Sequence, residues 1–155
     1  MNRISMKFSP RSLLSVLSLM LFSLVGLAAE GQQNKPAEFQ ALVVSADNSY
    51  VASEKNLEYS SMDASRLVRA LVTSARVPEQ SILVLKNPSI EEFDQAVLKL
   101  TQSNSKKFMF YYSGHSDEHG LHLKNGSINK AKFHDLLAKV TSKVKIVVLD
   151  SCFSG

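Results

Sequence analysis

The sequence has 155 residues, 45% of them hydrophobic, which suffices for one domain with a buried core. Its formal net charge is +4, but three of the 18 Lys and Arg residues and none of the 14 acidic residues fall within positions 1–28. Without that segment the charges nearly balance. The composition therefore gives no support for a general electrostatic attraction to nucleic acid, and no nucleic-acid partner is expected.

The first 28 residues have the pattern of a secretory signal peptide. Arg3, Lys7 and Arg11 form a basic start, a mostly apolar stretch follows over 13–27, and small residues stand at the cleavage positions. The stretch is near the lower limit for crossing a bilayer, so an uncleaved membrane anchor is the alternative. We expect an exported protein, periplasmic or secreted, that contacts a membrane only if the signal remains attached.

Residues 29–38 are polar and are predicted to be a linker, and residues 39–155 are predicted to form the domain. Hydrophobic periodicity and turn signals indicate alternating strands and helices. In chain order they are a strand at 39–45, an irregular loop at 48–60, a helix at 63–75, a strand at 81–85, a helix opened by a Ser89–Glu92 capping box, a strand at 108–112, a loop at 117–120, a hairpin around Asn125-Gly126, a helix at 130–140 capped by Asn129, and a strand at 143–149.

The principal strands are continuous apolar runs, which favours an α/β fold with a mainly parallel sheet and helices on both faces. In such folds functional residues gather beyond the carboxyl ends of the strands. Asp47, His115 and Cys152 all lie at those predicted ends. The sequence therefore predicts that the functional site lies along this edge of the sheet.

The single cysteine, Cys152, follows the apolar run 146–149, and the run 108–112 ends in Ser113-Gly114-His115. In an exported chain a lone cysteine has no internal disulfide partner. Because a nearby imidazole converts a thiol into the nucleophilic thiolate, the pair predicts a cysteine hydrolase with Cys152 as nucleophile and His115 as base and later proton donor. Backbone amides at Ser116 and Cys152 are expected to bind the oxyanion. The alternative is an ordinary packing cysteine and an ordinary histidine.

Two motifs carry a resemblance to a known family: Tyr-Tyr-Ser-Gly-His at 111–115 and Asp-Ser-Cys-Phe-Ser-Gly at 150–155. With the first strand at 41–44 and Asp63-Ala64 at the first helix, they resemble the caspase-like cysteine peptidases, and among them the bacterial metacaspase-like group. The resemblance runs from about residue 40 to residue 155. It implies a three-layer caspase–haemoglobinase fold, endopeptidase activity on polypeptides, and a catalytic pair of His115 and Cys152.

The positions that match the family's substrate pocket are Ser60, Asp63, Ser113 and Asp150. Metacaspases bind Arg or Lys before the scissile bond with acidic pocket residues, and two carboxylates here suit a basic side chain. The resemblance therefore implies cleavage after Arg or Lys. The alternatives are that Asp63 is a helix N-terminal residue favoured by the helix dipole and that Asp150 is a structural hydrogen-bond acceptor.

The sequence departs from the family pattern at several positions. Ser116 stands where the family usually has Gly, and Met62 stands where it often has Asn. Lys130 and Lys132 occupy the region of the calcium-binding acidic cluster, so no calcium dependence and no other cofactor is predicted.

A metal site is the competing interpretation of three nearby histidines. His115, His119 and His122 do not share one helical face and form no HExxH arrangement. No metal site is therefore predicted at these residues.

Family members continue past the cysteine with further strands, so the chain corresponds to the large-subunit, p20-type portion of the fold. The C-terminal strands are therefore expected to be missing, and strand 143–149 is expected to form an unpaired sheet edge. This predicts a complementary C-terminal, p10-like subunit as a partner. The alternative function is a non-catalytic interaction module that keeps the fold.

Overall fold

The computed structural model of the protein describes residues 37–152. The predicted signal peptide, residues 29–36 of the predicted linker and the last three residues of the 150–155 motif lie outside the described residues. Among the helices of the described part, none is long and apolar enough to cross a membrane.

Strands and helices alternate along the described chain, as the sequence predicts. They are β1 (Ala37–Ala46), α1 (Ser60–Thr73), a 3-10 helix (Glu79–Ser81), β2 (Ile82–Lys86), α2 (Ile90–Thr101), β3 (Ser105–Gly114), β4 (Ser116–Asp117), β5 (Gly120–Leu123), β6 (Gly126–Ile128), α3 (Lys130–Lys139) and β7 (Val144–Asp150).

The main sheet has the order β2-β1-β3-β7, and all of its neighbouring strands run parallel. The predicted parallel α/β architecture is therefore confirmed. β4, β5 and β6 form a separate antiparallel sheet, which contains the predicted hairpin. The sequence predicted a loop over 117–120, but Asp117 pairs with Gly120, and the Asp117 carboxylate accepts backbone N–H bonds from His119 and Gly120 at 2.8 and 3.1 Å.

β1 and β3 extend beyond their apolar runs because their backbones pair there. Ala37 is in register with Ser105, so β1 begins within the predicted linker 29–38 and β3 begins before the predicted strand. The extension is polar, and Lys106 forms an ion pair with Glu38 at 2.8 Å. Backbone hydrogen bonds need no apolar side chain, which explains why hydrophobicity underestimated both strands.

Side chains of β1 alternate between two hydrophobic clusters, one on each face of the main sheet. Leu42 and Val44 pack with residues of α2 and α3, whereas Ala41 and Val43 pack with residues of α1. Successive strand residues point to opposite faces, so a fully apolar strand is buried only when helices cover both. The result is the predicted three-layer arrangement, with α1 on one side and α2 and α3 on the other.

Two helices begin at the residues that the sequence indicated. The Ser89 hydroxyl accepts from the Glu92 backbone N–H at 3.2 Å, and the Glu92 carboxylate accepts from the Ser89 N–H at 2.8 Å. The Asn129 side chain accepts from the Lys132 N–H at 2.8 Å. The predicted capping box and cap are confirmed, and each satisfies amides that a helix start leaves free.

α1 begins three residues before its predicted start because Asp47, at the end of β1, acts as its cap. Its carboxylate accepts hydrogen bonds from the Ser60 hydroxyl at 2.7 Å, the Ser61 N–H at 3.0 Å and the Ser61 hydroxyl. The N-cap residue Tyr59 supplies no side-chain bond of its own. A carboxylate at this position also interacts favourably with the helix dipole.

Burial raises the pKa of Asp47, but the bonds from Ser61, Ser60 and Asn87 outweigh that effect, so the pKa lies below its ordinary value. A lowered folded-state pKa stabilises the fold above the unfolded pKa of about 3.9, and the contribution is lost as the pH falls further. We expect Asp47→Asn to lower the free energy of unfolding at pH 7 by about 1–3 kcal/mol and to flatten its acid dependence.

Urea unfolding at pH 7 and at pH 3 measures both effects. Asp135→Asn, on the exposed face of α3, is the matched control and should behave as wild type. An Asp47→Asn variant with unchanged stability at both pH values would contradict the capping role.

Candidate active site

A cleft of about 430 Å³ lies at the carboxyl ends of β3 and β7, beside the start of α1. It is lined by Leu57, Glu58, Tyr59, Ser60, Asp63, Ser113, Gly114, His115, Asp150, Ser151 and Cys152. A larger groove of about 560 Å³ lies between α2 and α3, but neither a histidine nor a cysteine lines it. The smaller cleft is therefore the candidate active site.

Strand register explains why His115 and Cys152 share this cleft. Ser113 of β3 is in register with Asp150 of β7, and each predicted catalytic residue follows its strand position by two residues. Because parallel strands end at the same edge of a sheet, both side chains reach the same end. Six of the seven predicted site residues line the cleft: Ser60, Asp63, Ser113, His115, Asp150 and Cys152.

Ser116, the seventh predicted residue, lies outside this lining and is buried in β4. Its hydroxyl donates a hydrogen bond to the backbone carbonyl of Cys152. Ser116 thus contacts the segment that carries the thiol. The assignment of its backbone amide to the oxyanion site stays a prediction.

The imidazole of His115 is held by the segment that joins β1 to α1. Its Nε2 lies 2.8 Å from the backbone carbonyl oxygen of Lys55. A carbonyl oxygen only accepts, so Nε2 carries the hydrogen, and in the neutral ring Nδ1 is the basic nitrogen. The ring is 23% exposed, with Nδ1 3.9 Å from the Glu54 carboxylate. That distance is too long for a hydrogen bond, so Nδ1 keeps its lone pair for a proton.

Because Gly114 has no side chain, the end of β3 packs closely against Tyr112 of the same strand and against Ala46 of β1. A Cβ at this position would collide with the hydroxyl of Tyr112 and with the side chain of Ala46. The buried Tyr112 hydroxyl lies 2.6 Å from the His115 carbonyl and 2.7 Å from the His122 carbonyl, so it ties the end of β3 to β5. Burial raises the pKa of Tyr112, which keeps its hydroxyl protonated as a donor.

Cys152 is a free thiol with an exposed side chain. Exposure distinguishes it from a packing cysteine, which is buried among apolar groups. A thiol that is open to solvent and shares a cleft with an imidazole is accessible to a substrate. Such a site can carry out nucleophilic attack by the cysteine thiolate.

Two carboxylates of the cleft differ in their partners. Asp150 accepts a hydrogen bond from the Tyr111 hydroxyl at 3.3 Å, and burial together with the Asp150 charge raises the pKa of Tyr111. Asp63 pairs with Arg66 at 3.2 Å, and the Arg66 side chain is 68% exposed. Exposed pairs contribute about 0–1 kcal/mol, so a cationic ligand could replace Arg66 at little cost.

The remaining predicted pocket residues are buried serines. The Ser60 hydroxyl donates to Asp47, which leaves its oxygen as an acceptor, and Ser113 is 5% exposed. Both serines line the cleft together with Asp63 and Asp150, and their small side chains occupy little of its volume. The structure thus brings the four predicted pocket residues together, and their role in substrate binding stays a prediction.

Sequence reasoning missed the residues that surround His115. Glu54 and the Lys55 carbonyl belong to a segment predicted only as an irregular loop, and no sequence signal pointed to them. His122 was considered only as a metal ligand, whereas its ring is 1% exposed and lies 2.9 Å from Glu54 and 3.2 Å from Asp117. Across residues 37–152, no group of three or more His, Cys, Asp or Glu side chains is arranged to hold a metal ion.

Comparison with known proteins identifies the family. The family model described as Caspase domain matches residues 40–155, which is most of the chain and includes every residue of the cleft. No curated protein matches the sequence significantly. The predicted resemblance to caspase-like proteins is confirmed, while the metacaspase subgroup stays a prediction. This match agrees with the parallel sheet between helices and with the cysteine and histidine that line one cleft. The chain therefore belongs to the caspase domain family, a class of cysteine peptidases.

Proposed function

We propose that the protein is a cysteine endopeptidase that cleaves polypeptides after Arg or Lys. Cys152 is the nucleophile and His115 is its general base. The observation that carries the proposal is that both residues line one cleft while Lys55 holds the His115 ring with Nδ1 as its basic nitrogen. Export through residues 1–28, to the periplasm or the outside, is part of the proposal.

In the proposed reaction, Nδ1 of His115 takes the proton of the Cys152 thiol. The thiolate attacks the carbonyl carbon of the scissile bond, and backbone amides of Cys152 and Ser116 stabilise the oxyanion. His115 then protonates the leaving amine, which leaves an acyl-enzyme. A water molecule deprotonated by His115 hydrolyses the thioester and restores the thiol. The Lys55 carbonyl keeps the ring oriented and interacts favourably with the imidazolium.

Removal of either catalytic group tests this proposal. We expect Cys152→Ala to abolish hydrolysis of an Arg-containing peptide, because no other cysteine is present. His115→Ala should lower kcat by about 10²- to 10⁴-fold, the usual contribution of a general base. Steady-state kinetics of the purified full chain measures both changes.

His119→Ala is the matched control, since its side chain is 73% exposed and its one ion pair within residues 37–152 is with the neighbouring Glu118. It should retain wild-type kinetics. Hydrolysis that survives in Cys152→Ala, or no hydrolysis by a folded wild-type chain, would contradict a self-sufficient peptidase.

The preference for a basic residue is proposed from the two carboxylates of the cleft. Asp150 and Asp63 supply negative charge to the cleft that Cys152 also lines, and Arg66 is a weakly held competitor for Asp63. Carboxylates bind guanidinium in a bidentate geometry, which favours Arg over Lys. An acidic side chain in the same place would meet like charge.

Removal of a pocket charge tests the preference for a basic residue before the scissile bond. Matched peptides with Arg, Lys or Asp before the scissile bond should be cleaved in that order by the wild type. Asp150→Asn should lower kcat/KM for the Arg peptide by about ten- to a hundredfold, because each charged hydrogen bond contributes about 1.5–3 kcal/mol. Asp135→Asn, remote on α3, should change nothing. Preferred cleavage after Asp would overturn the assignment of the pocket.

The exposed edge of β7 favours a second candidate function. Within residues 37–152, β7 has a neighbour on one side only, and its apolar side chains Val144, Ile146, Val147 and Val148 are 36–47% exposed. Such an edge suits a polypeptide that adds a strand, as a p10-like subunit or the partner of a non-catalytic module would. Stable polypeptide binding that Cys152→Ala leaves intact, with no hydrolysis by the folded chain, would favour this function.

A further inference from the structure

Glu54 lies between two histidines, one on the proposed catalytic cleft and one in the protein interior. Its Oε2 atom is 3.9 Å from Nδ1 of His115 and 2.9 Å from Nδ1 of His122. The second nitrogen of His122 is 3.2 Å from a carboxylate oxygen of Asp117. The four side chains therefore lie in a row of alternating imidazoles and carboxylates that ends at the proposed general base, and the contact between Glu54 and His122 is a hydrogen bond.

His122 is the buried member of this row. The His122 ring is 1% exposed and meets the ring of Tyr50 edge-on, with centroids 5.1 Å apart. Asp117 is itself fixed by the backbone N–H groups of the turn that follows it. Because the His122 ring is buried and its Nδ1 is hydrogen-bonded to Glu54, it restricts the positions that the Glu54 carboxylate can take.

Glu54 keeps its negative charge beside His115. Burial raises its pKa, but hydrogen bonds from Ser49 and His122 and the charges of His122 and His115 outweigh burial and lower the pKa below its ordinary value. The carboxylate is 25% exposed and the His115 ring is 23% exposed, so water screens their interaction only in part. Glu54 is absent from the cleft lining and therefore does not occupy the space of a substrate.

We propose that Glu54 is a positioning residue for the Cys152 and His115 pair, which it biases towards thiolate and imidazolium, and that His122 holds Glu54 in place. This inference rests on the proposed peptidase function. The proton balance is simple: the proton leaves the Cys152 sulfur and binds Nδ1 of His115, whose positive charge then faces the Glu54 carboxylate. A negative charge that does not contact the substrate thus favours the attacking form of the enzyme.

Other ionisable groups face the same pair from different elements, and the test must separate their effects. The segment before α1 and α1 itself present Glu58, Tyr59 and Asp63, and β7 presents Asp150. Behind Glu54 lie His122, Asp117 and Tyr50. Among these carboxylates of the described residues, Glu54 is the one that lies within 4 Å of a His115 nitrogen, so its removal should change the reactivity of the pair more than removal of any other.

The pH dependence of Cys152 alkylation by iodoacetamide measures the thiolate without requiring peptide cleavage. Cys152 is the only cysteine, so the label is unambiguous. In the full chain we expect Glu54→Gln to move the midpoint upward by about one pH unit, which is about a tenfold loss of thiolate below the midpoint. Glu118→Gln, a carboxylate 81% exposed beside His119, is the matched control and should leave the midpoint unchanged.

A folded Glu54→Gln variant with the wild-type midpoint would overturn the inference. If circular dichroism shows that this variant does not fold, Glu54→Asp is the deciding variant. Its side chain is shorter by one methylene, so the carboxylate lies farther from His115 and the alkylation midpoint should move upward by less. An unchanged midpoint in folded Glu54→Asp would likewise overturn the inference.

His115→Ala separates this inference from the proposed function. If His115→Ala leaves the alkylation profile unchanged, the catalytic pair itself is wrong. If His115→Ala moves the midpoint and Glu54→Gln does not, only the role of Glu54 is wrong. An effect of Glu54→Gln that persists in the His115→Ala background would also overturn the inference, because Glu54 would not act through His115.

Discussion

The parallel pairing of β3 with its neighbours is the constraint on which the candidate site depends. β3 is in register with β1 through Ser45 and Ser113 and with β7 through Ser113 and Asp150. Because these strands run parallel, their carboxyl ends lie along one edge of the sheet, and residues far apart in sequence emerge there. Helices on both faces bury β1 and β3, whereas the side chains of β7 are largely exposed. The buried β3 gives His115 a fixed starting point, which two cooperating side chains need to keep a constant separation.

The segment between β1 and α1 converts this edge into a cleft. Asp47, the first residue of the segment, is hydrogen-bonded to the start of α1, and the carbonyl of Lys55 holds the His115 ring. Glu54 connects the middle of the segment to the interior through His122. An irregular segment has no ladder of backbone bonds, so side chains must satisfy its polar groups and fix its shape. The orientation of His115 therefore depends on a loop as well as on its own strand.

Charge is unevenly distributed around the cleft. Asp63 and Asp150 line the cleft, whereas Glu54 is absent from its lining and lies 3.9 Å from Nδ1 of His115. Under the proposed function, the two cleft carboxylates would select a cationic side chain, and Glu54 would stabilise the imidazolium. Carboxylates of one small site can thus have separate roles because only some of them line the cleft.

Most elements, the parallel sheet and the positions of His115 and Cys152 followed from local signals in the sequence, whereas Ser60, Asp63, Ser113 and Asp150 came from the family resemblance. Continuous apolar runs predicted parallel strands, caps at Ser89 and Asn129 predicted helix starts, and positions after two strands predicted His115 and Cys152. Tertiary structure alone decided the start of α1, which Asp47 caps, and the surroundings of His115. Lys55 contacts His115 and Glu54 contacts His122 across long sequence separations through hydrogen bonds, which leave no periodicity in the chain. Hydrophobic pattern therefore determined the scaffold, and long-range polar contacts determined how the site is held.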